Sequence, residues 1–501
     1  MSEIRRQSII SSGIVYIGFA FGLLNTWLFA REGGFTLEQF GLTGLFVAIS
    51  NIFFSLSQFG MTTYIYKFYP YYKDNLGKKD NDMLAISLVV ALTGYCLVII
   101  GGLVFQDLVV RKFGTNSPSL VTYYKWIFPF GLGLTLFSIL EAYAWQLRQS
   151  VFTNFLREVL FRILTTLLIL LSLTGIIRQY DIFIKIYSFT YLAVALTLVL
   201  FLITKSSFHL TFRFSRVTKK FSGKIITLSA FVYGGTIVYV LSSVFDTIII
   251  ASVLKDGLAM AAVYTVAQNM ASIIQAPQRG IVSSSIAALS RAWKEKDMGR
   301  IARIYQRSSI NQLVFALALF SLIWLNFTDG IATFHLQKKY ADAQWVFLFI
   351  GLMRITDMGT GVSGQIISTS TQWRFDFITG IILLSLTLPL NYYLTYSFGI
   401  IGPAIANLIA ITIYNTIRYL FLYKKYQLQP FNAKSLYIVL ISAAAFIICH
   451  WLFREKQGFQ WILLRSSTYL AVFIPLLWMM KITPDLEAVL TTLKKRFSKK
   501  D

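Results

Sequence analysis

Charge is scarce in this chain. Only 14 % of its 501 residues are Asp, Glu, Lys or Arg, and the acidic ones number just 22. Soluble globular domains carry about a quarter charged residues, so the shortage argues against an ordinary soluble fold. Cysteine is scarcer still. Cys96 and Cys449 both lie inside apolar runs, which leaves no disulfide framework and no metal-ligand spacing. Three histidines, far apart, offer no metal cluster. The chain has no P-loop, and the lone Gly-x-Gly in "GLGLTLF" at 131–137 is far weaker than a dinucleotide fingerprint. No cofactor is expected. Long hydrophilic segments are missing too: the largest outer one, 106–125, leaves no room for an extramembrane catalytic domain. No Pro-rich or Gly/Ser-rich linker interrupts the chain.

What remains is apolar. Hydrophobic residues make up 56 % of the sequence and the mean hydropathy is +0.63, the composition of a chain that faces lipid or packs against itself in a bilayer. About 14 apolar runs are long enough to span as helices. They fall near 9–30, 42–66, 83–105, 126–147, 159–177, 182–203, 225–253, 258–288, 309–328, 345–369, 376–397, 401–423, 435–453 and 460–480. The first follows Arg5 and Arg6 as a signal peptide would, but it is too long for one and is expected to be retained.

An even number of spans puts both termini on one side. With that side inward, roughly 32 of the 46 Lys and Arg fall in inner segments against about 12 outside, a bias that favours cytoplasmic termini. The expectation is a multi-pass protein of the bacterial inner (plasma) membrane. The net charge of +24 sits in short segments between apolar runs, so membrane lipids rather than nucleic acid are the expected partners. After Lys481, Thr483, Pro484 and Asp485 read as a helix start. Leu486, Val489, Leu490, Leu493 and Phe497 then form one face among lysines, as in a basic helix lying on the inner leaflet.

The chain also repeats itself. "NTWLFA" at 25–30 matches "DTIIIA" at 246–251, and "SQFG" at 57–60 matches "PQRG" at 277–280 at nearly the same offset. "QSVF" at 149–152 and "STQW" at 370–373 fall in the same register. The shift equals six spans, so direction is preserved. The expected fold is all-α and polytopic, with two six-helix lobes related by a pseudo-two-fold axis normal to the membrane, plus two extra helices. The lobes would run 1–210 and 211–430, the extra pair 431–480 and the basic tail 481–501.

Polar residues enter the apolar runs at corresponding places. Asn51, Ser55, Gln58 and Thr62 are spaced four, three and four apart, and so are Gln268, Ser272, Gln275 and Arg279. On a helix each set forms one stripe. Such stripes turn inward in lipid, toward a cavity or another helix. A mid-span arginine costs about 2.5–3.5 kcal/mol on insertion scales, a cost better explained if Arg279 meets an anion or water. The alternative is ordinary helix–helix hydrogen bonding with Arg279 snorkelling to the surface. Pro277 should loosen the same helix. Asp246 and Thr247 answer Asn25 and Thr26 in the repeat, and a carboxylate at that depth suits an ion-coupling role, with H+ or Na+ as the coupling ion; a helix-end aspartate hydrated at the surface is the alternative. Glu141, and the three-apart pair Arg354 and Asp357, read as structural or gating charges. Gly359, Gly361 and Gly364 suit close packing or a bend.

"FTLEQFGLTGLFVAISNIFFSLSQFGM", "DTIIIASVLKDGLAMAAVYTVAQNMASIIQAP" and "FGIIGPAIANLIA" resemble the O-antigen and capsule-unit flippases of the multidrug/oligosaccharidyl-lipid/polysaccharide exporter superfamily. The resemblance runs along most of the chain through diffuse patterns of Gly, Tyr, Pro and apolar residues. It implies two six-helix lobes around a cationic cavity, a position Arg279 fits best. It also implies inner-to-outer movement of polyprenyl-diphosphate-linked oligosaccharide by alternating access, for O-antigen or capsule synthesis. Contacts with polysaccharide-assembly enzymes are then possible partners. One departure bears on cargo: lipid II flippases of the superfamily carry arginines in the first span, and none occurs here between Arg6 and Arg31. Two other readings stay open, a cation-coupled multidrug exporter and a membrane glycosyltransferase or polysaccharide polymerase. The short loops weigh against the enzyme.

Overall fold

A computed structural model describes residues 3–454 and 456–482. The expected tail helix lies outside these residues. Every regular element among them is helical. The chain forms two compact units that divide after Ala262.

The first unit is built around α5 (Ile127–Gln146), most of whose residues are buried. Packed against it are α2 (Leu37–Ser57), α3 (Met61–Asn75), α4 (Met83–Val104) and α7 (Thr190–Thr204). α1 (Glu3–Ala30) lies against α6 (Phe161–Leu173) and the turns before it. α8 (Arg216–Val253) runs along α2 and α3. Within this core, Tyr64 donates to Tyr72 at 2.7 Å, and Tyr72 and Thr218 share a hydrogen bond of 2.6 Å. The repeat-based boundary near 210 remains a proposal about how the chain arose. By packing, α8 belongs with α2 and α3.

α9 (Gly257–Lys294) carries the division and passes through Pro277 without a break. In the second unit, α13 (Trp373–Phe398) packs along α14 (Gly402–Tyr426), α14 along α11 (Ala343–Gly359), and α11 along α10 (Met298–Thr333). The extra pair, α15 (Ala433–Leu452) and α16 (Phe459–Met479), docks on α10. Ile310, Leu313 and Leu317 meet Ile438, Tyr469 and Phe473 there. Lipid is as apolar as these side chains, so close fit and polar ties must hold the pair. Arg465 supplies such ties. It donates to the Leu325 carbonyl at 2.9 Å, to Asn326 Oδ1 at 3.0 Å and to the Lys456 carbonyl at 2.8 Å, with Asp329 Oδ2 at 3.6 Å.

Among the described residues, eleven helices are long and apolar enough to cross a membrane, or twelve with one bent pair. The apolar stretch Arg374–Tyr426 in that count is really two helices, α13 and α14, which turn at Gly399–Ile401 and pack on each other. The fifth expected span is also helical, with the charged residues Arg157 and Glu158 just before it. All fourteen expected runs therefore coincide with helix, in an all-α multi-pass membrane fold.

Two runs are broken. The second divides into α2 and α3 because Phe59 and Gly60 take left-handed φ values of 41° and 76°. A Cβ on Gly60 would lie 2.6 Å from the Ser229 carbonyl oxygen, so glycine also admits the backbone of α8. The tenth bends by 47° between α11 and α12 (Ser363–Thr369), where Gly361 is left-handed, as its glycines suggested.

Candidate functional site

The two polar stripes have different surroundings. In α2, Asn51 bonds back to the Val47 carbonyl at 2.7 Å and Ser55 to Ile52 at 2.8 Å. Such bonds satisfy the side chain within its own helix. Gln58 is fully buried at the α2–α3 break. Its Oε1 accepts from the Thr62 hydroxyl at 3.2 Å, while its Nε2 finds no acceptor among the described residues. In α9, Ser272 donates to the Asn269 carbonyl at 2.6 Å. Gln268 and Gln275 are half-buried, and Arg279 is exposed. This second stripe thus opens toward the surface along its length, ending on the guanidinium.

The three ion-coupling candidates lie within the first unit. Asp246 and Thr247 are buried in α8. Asn116 and Ser117 cap the end of that helix through the carbonyls of Ser252 and Ala251, at 3.0 and 2.6 Å. Asp246 is almost two turns inside this cap, roughly 10 Å along the axis. It is therefore not an aspartate at a frayed helix end. Asn25 is committed elsewhere: it donates to the Arg162 carbonyl at 3.0 Å and accepts from the Thr166 hydroxyl at 2.6 Å, joining α1 to α6.

Asn25 belongs to a larger network. Between α5 and α6, residues Leu156–Leu160 form a π turn. π turns widen a helix and often mark sites where side chains are re-aimed. Arg157 on this turn meets buried Glu141 of α5 at 2.6 Å. One turn on, Arg162 pairs with Glu158 at 3.2 Å and also donates to the Gly18 carbonyl. A Cβ on Gly18 would come within 2.7 Å of the Glu158 carbonyl, and one on Gly22 within 2.8 Å of Arg162. Glycines one turn apart in α1 therefore create the seat for these charges.

The second unit has its own network. Asp357 accepts from Gln278 of α9 and Asn415 of α14, each at 3.2 Å. Arg354, one turn earlier, is half-buried. Close by in sequence to Asn415, buried Arg418 pairs with Asp376 of α13, donates to Thr379 at 3.3 Å and lies over the Tyr414 ring at 4.0 Å. At the start of α10, Arg300, Arg303 and Arg307 line a hollow of about 470 Å3. Arg157, Arg162, Asp376 and Arg418 were not among the residues singled out from sequence. The four-apart spacing of Glu158 and Arg162 was the available signal.

Comparison with solved structures bears on the fold. The chain is similar to the lipid II flippase MurJ in an inward closed conformation, with TM-score 0.75 and 17 % identity over 94 % of this chain and 99 % of that one. It is also similar to an inward-facing multidrug resistance MATE family transporter of the MOP superfamily, with TM-score 0.62 and 14 % identity over 83 % and 94 %. A MATE structure in complex with MaL6 gives TM-score 0.55 and 14 % identity over 84 % and 96 %. No family model matches the chain, and no curated protein does. At these identities the likeness establishes the fold: this chain has the two-lobe helical fold of those transporters.

Proposed function

We propose that the protein is a flippase that carries polyprenyl-diphosphate-linked oligosaccharide from the inner to the outer leaflet by alternating access, serving O-antigen or capsule assembly. The observation that carries this reading is the extent of the fold match. It reaches 94 % of the chain against a flippase of a lipid-linked precursor, and 83 % against the multidrug transporter. The chemistry is consistent with it. A diphosphate prefers arginine and lysine partners, and Arg279 is exposed at the end of a polar stripe. Sugars need amides and hydroxyls, which half-buried Gln268, Ser272 and Gln275 supply on the same helix. The lack of arginine in the first span after Arg6 favours a cargo other than the peptidoglycan precursor.

The similarity to multidrug transporters supports a second reading, export of a drug-like cation. A leaflet-resolved assay separates the two. Purified protein in liposomes should move a fluorescent polyprenyl-diphosphate oligosaccharide, and Arg279→Ala should slow this at least tenfold with normal membrane insertion. Arg279→Lys should keep part of the rate. Movement of a cationic dye without movement of the lipid-linked sugar would establish the second reading.

A further inference from the structure

The first unit holds a hollow that the stripes do not use. Its volume is about 430 Å3, within the usual range for small-molecule sites, and its walls are the last turns of α3 and α5 and the start of the segment joining α7 to α8. Tyr69 and Tyr143, both buried, line it with their rings edge to face at 5.9 Å. Lys73, Arg148 and His209 also line it, and Gln146 adds a carboxamide. Asp80 stands near Gly77, itself a lining residue. Lys73 and Arg148 bring two positive charges to one hollow, and such charges favour an anion there.

The walls are fixed. Thr211 donates to the Lys79 carbonyl at 2.5 Å. The Ser215 amide and the Thr218 hydroxyl donate to buried Asp82 at 2.8 and 2.7 Å. The chain leaves α5 and α7 through left-handed residues, Arg148 with φ 60° and Ser206 with φ 48°. Non-glycine residues persist in that region only where their surroundings hold them there. The connecting segment, which brings Ser207 and His209 to the hollow, is thus tied to the loop before α4.

We infer that this hollow binds a phosphate-bearing polyol, with Lys73 and Arg148 on the phosphate and Gln146, Tyr69 and Tyr143 against the polyol. The site is separate from the Arg279 stripe and does not depend on the cargo reading. Two sources supply such a group, a soluble sugar phosphate and a phospholipid headgroup. Full-length protein in phosphatidylcholine nanodiscs is titrated with glucose 1-phosphate by calorimetry, and native mass spectrometry counts the phosphatidylglycerol retained from mixed nanodiscs. Wild type should bind one or both saturably. Lys73→Gln with Arg148→Asn should weaken that binding about tenfold or more, since each charge-assisted bond is lost. Asn tolerates the left-handed backbone, so the melting temperature should hold. Lys73→Arg should bind as wild type, and Arg279→Ala should leave binding unchanged. A response only to glucose 1-phosphate assigns the soluble source, only to phosphatidylglycerol the lipid, and to both a site open to either. No saturable binding in either arm, equal binding by the double variant, or loss of binding in Arg279→Ala overturns the inference.

Discussion

The charged networks of the two units solve the same problem in different ways. In the first, buried Glu141 meets a guanidinium at 2.6 Å, and Glu158 and Arg162 pair one turn on. Two backbone features bring them together, the π turn in the 156–160 segment and the glycines of α1. In the second, Asp357 is held by two carboxamides at 3.2 Å, at the long end of hydrogen-bond distances. One short ion pair, Arg157 with Glu141, against a shaped backbone makes a stiff joint. Long amide bonds joining three helices make one that can be exchanged. The comparison assigns rigidity to the α1–α5–α6 cluster and adjustability to the α9–α11–α14 junction.

Breaking the stiff joint should cost most, and unequally. Arg157→Ala strands a buried carboxylate, whereas Glu141→Gln leaves an arginine that is 39 % exposed and can hydrate. Arg157→Ala should destabilise by roughly 2–3 kcal/mol, below the 3–5 of a fully buried pair because Arg157 reaches solvent. Glu141→Gln should cost about 1 kcal/mol, and the double variant less than Arg157→Ala alone. Thermal unfolding in detergent, read by size-exclusion fluorescence, gives all three. Equal costs for the two single variants would sink the asymmetry.

Close approach provides the second comparison. A methyl on Gly18 would press on backbone, the Glu158 carbonyl at 2.7 Å. A methyl on Gly364 would meet only the end of the Arg418 side chain, also at 2.7 Å. Backbone cannot yield as a side-chain tip can. Gly18→Ala should therefore cost about 1–3 kcal/mol and Gly364→Ala less. The same unfolding assay ranks them, and the reverse order would contradict the stiff-joint view. Asp357→Asn should be milder still, about 1 kcal/mol or below, since amides can partner an amide. A larger loss than for Arg157→Ala would mean that the junction is the rigid one.

The spans were legible in the sequence because each is a long apolar run, and lipid demands that its backbone bonds close internally. The bend after Gly359 was legible from its glycines. The α2–α3 break was not, because it depends on Phe59 adopting a left-handed conformation that no local residue preference announces. The stiff joint escaped for a related reason. Arg157 and Glu158 stand at the edge of an apolar run and look like loop charges, and only the π turn and the glycines of α1 reveal them as internal. Arg418 lies inside the 401–423 run, near its inner end, and nothing in that run names its partner. Its partner Asp376 sits at the head of the preceding run. Pairing between helices, unlike periodicity within one, leaves no sequence trace.

Asp246 sharpens the comparison last, because its repeat counterpart is spoken for. Asn25 serves the stiff joint through Arg162 and Thr166. Asp246, in the same register of the repeat, is a buried acid in α8 well inside the helix cap. If both positions were structural, Asp246→Asn would simply recreate the Asn25 chemistry and leave transport as it was. A carboxylate that takes up a proton or sodium ion in one state and releases it in the other behaves differently. Removing its charge keeps shape and cargo binding but uncouples movement from the ion gradient. The expected outcome is a small stability change, within about 1 kcal/mol in either direction. Liposome transport that responds to an imposed proton or sodium gradient in wild type should lose that response in Asp246→Asn. Asn25→Ala, in contrast, should lower stability and leave the gradient response intact. If Asp246→Asn follows the gradient as wild type does, the acid has no coupling role, and the two repeat positions are structural alike.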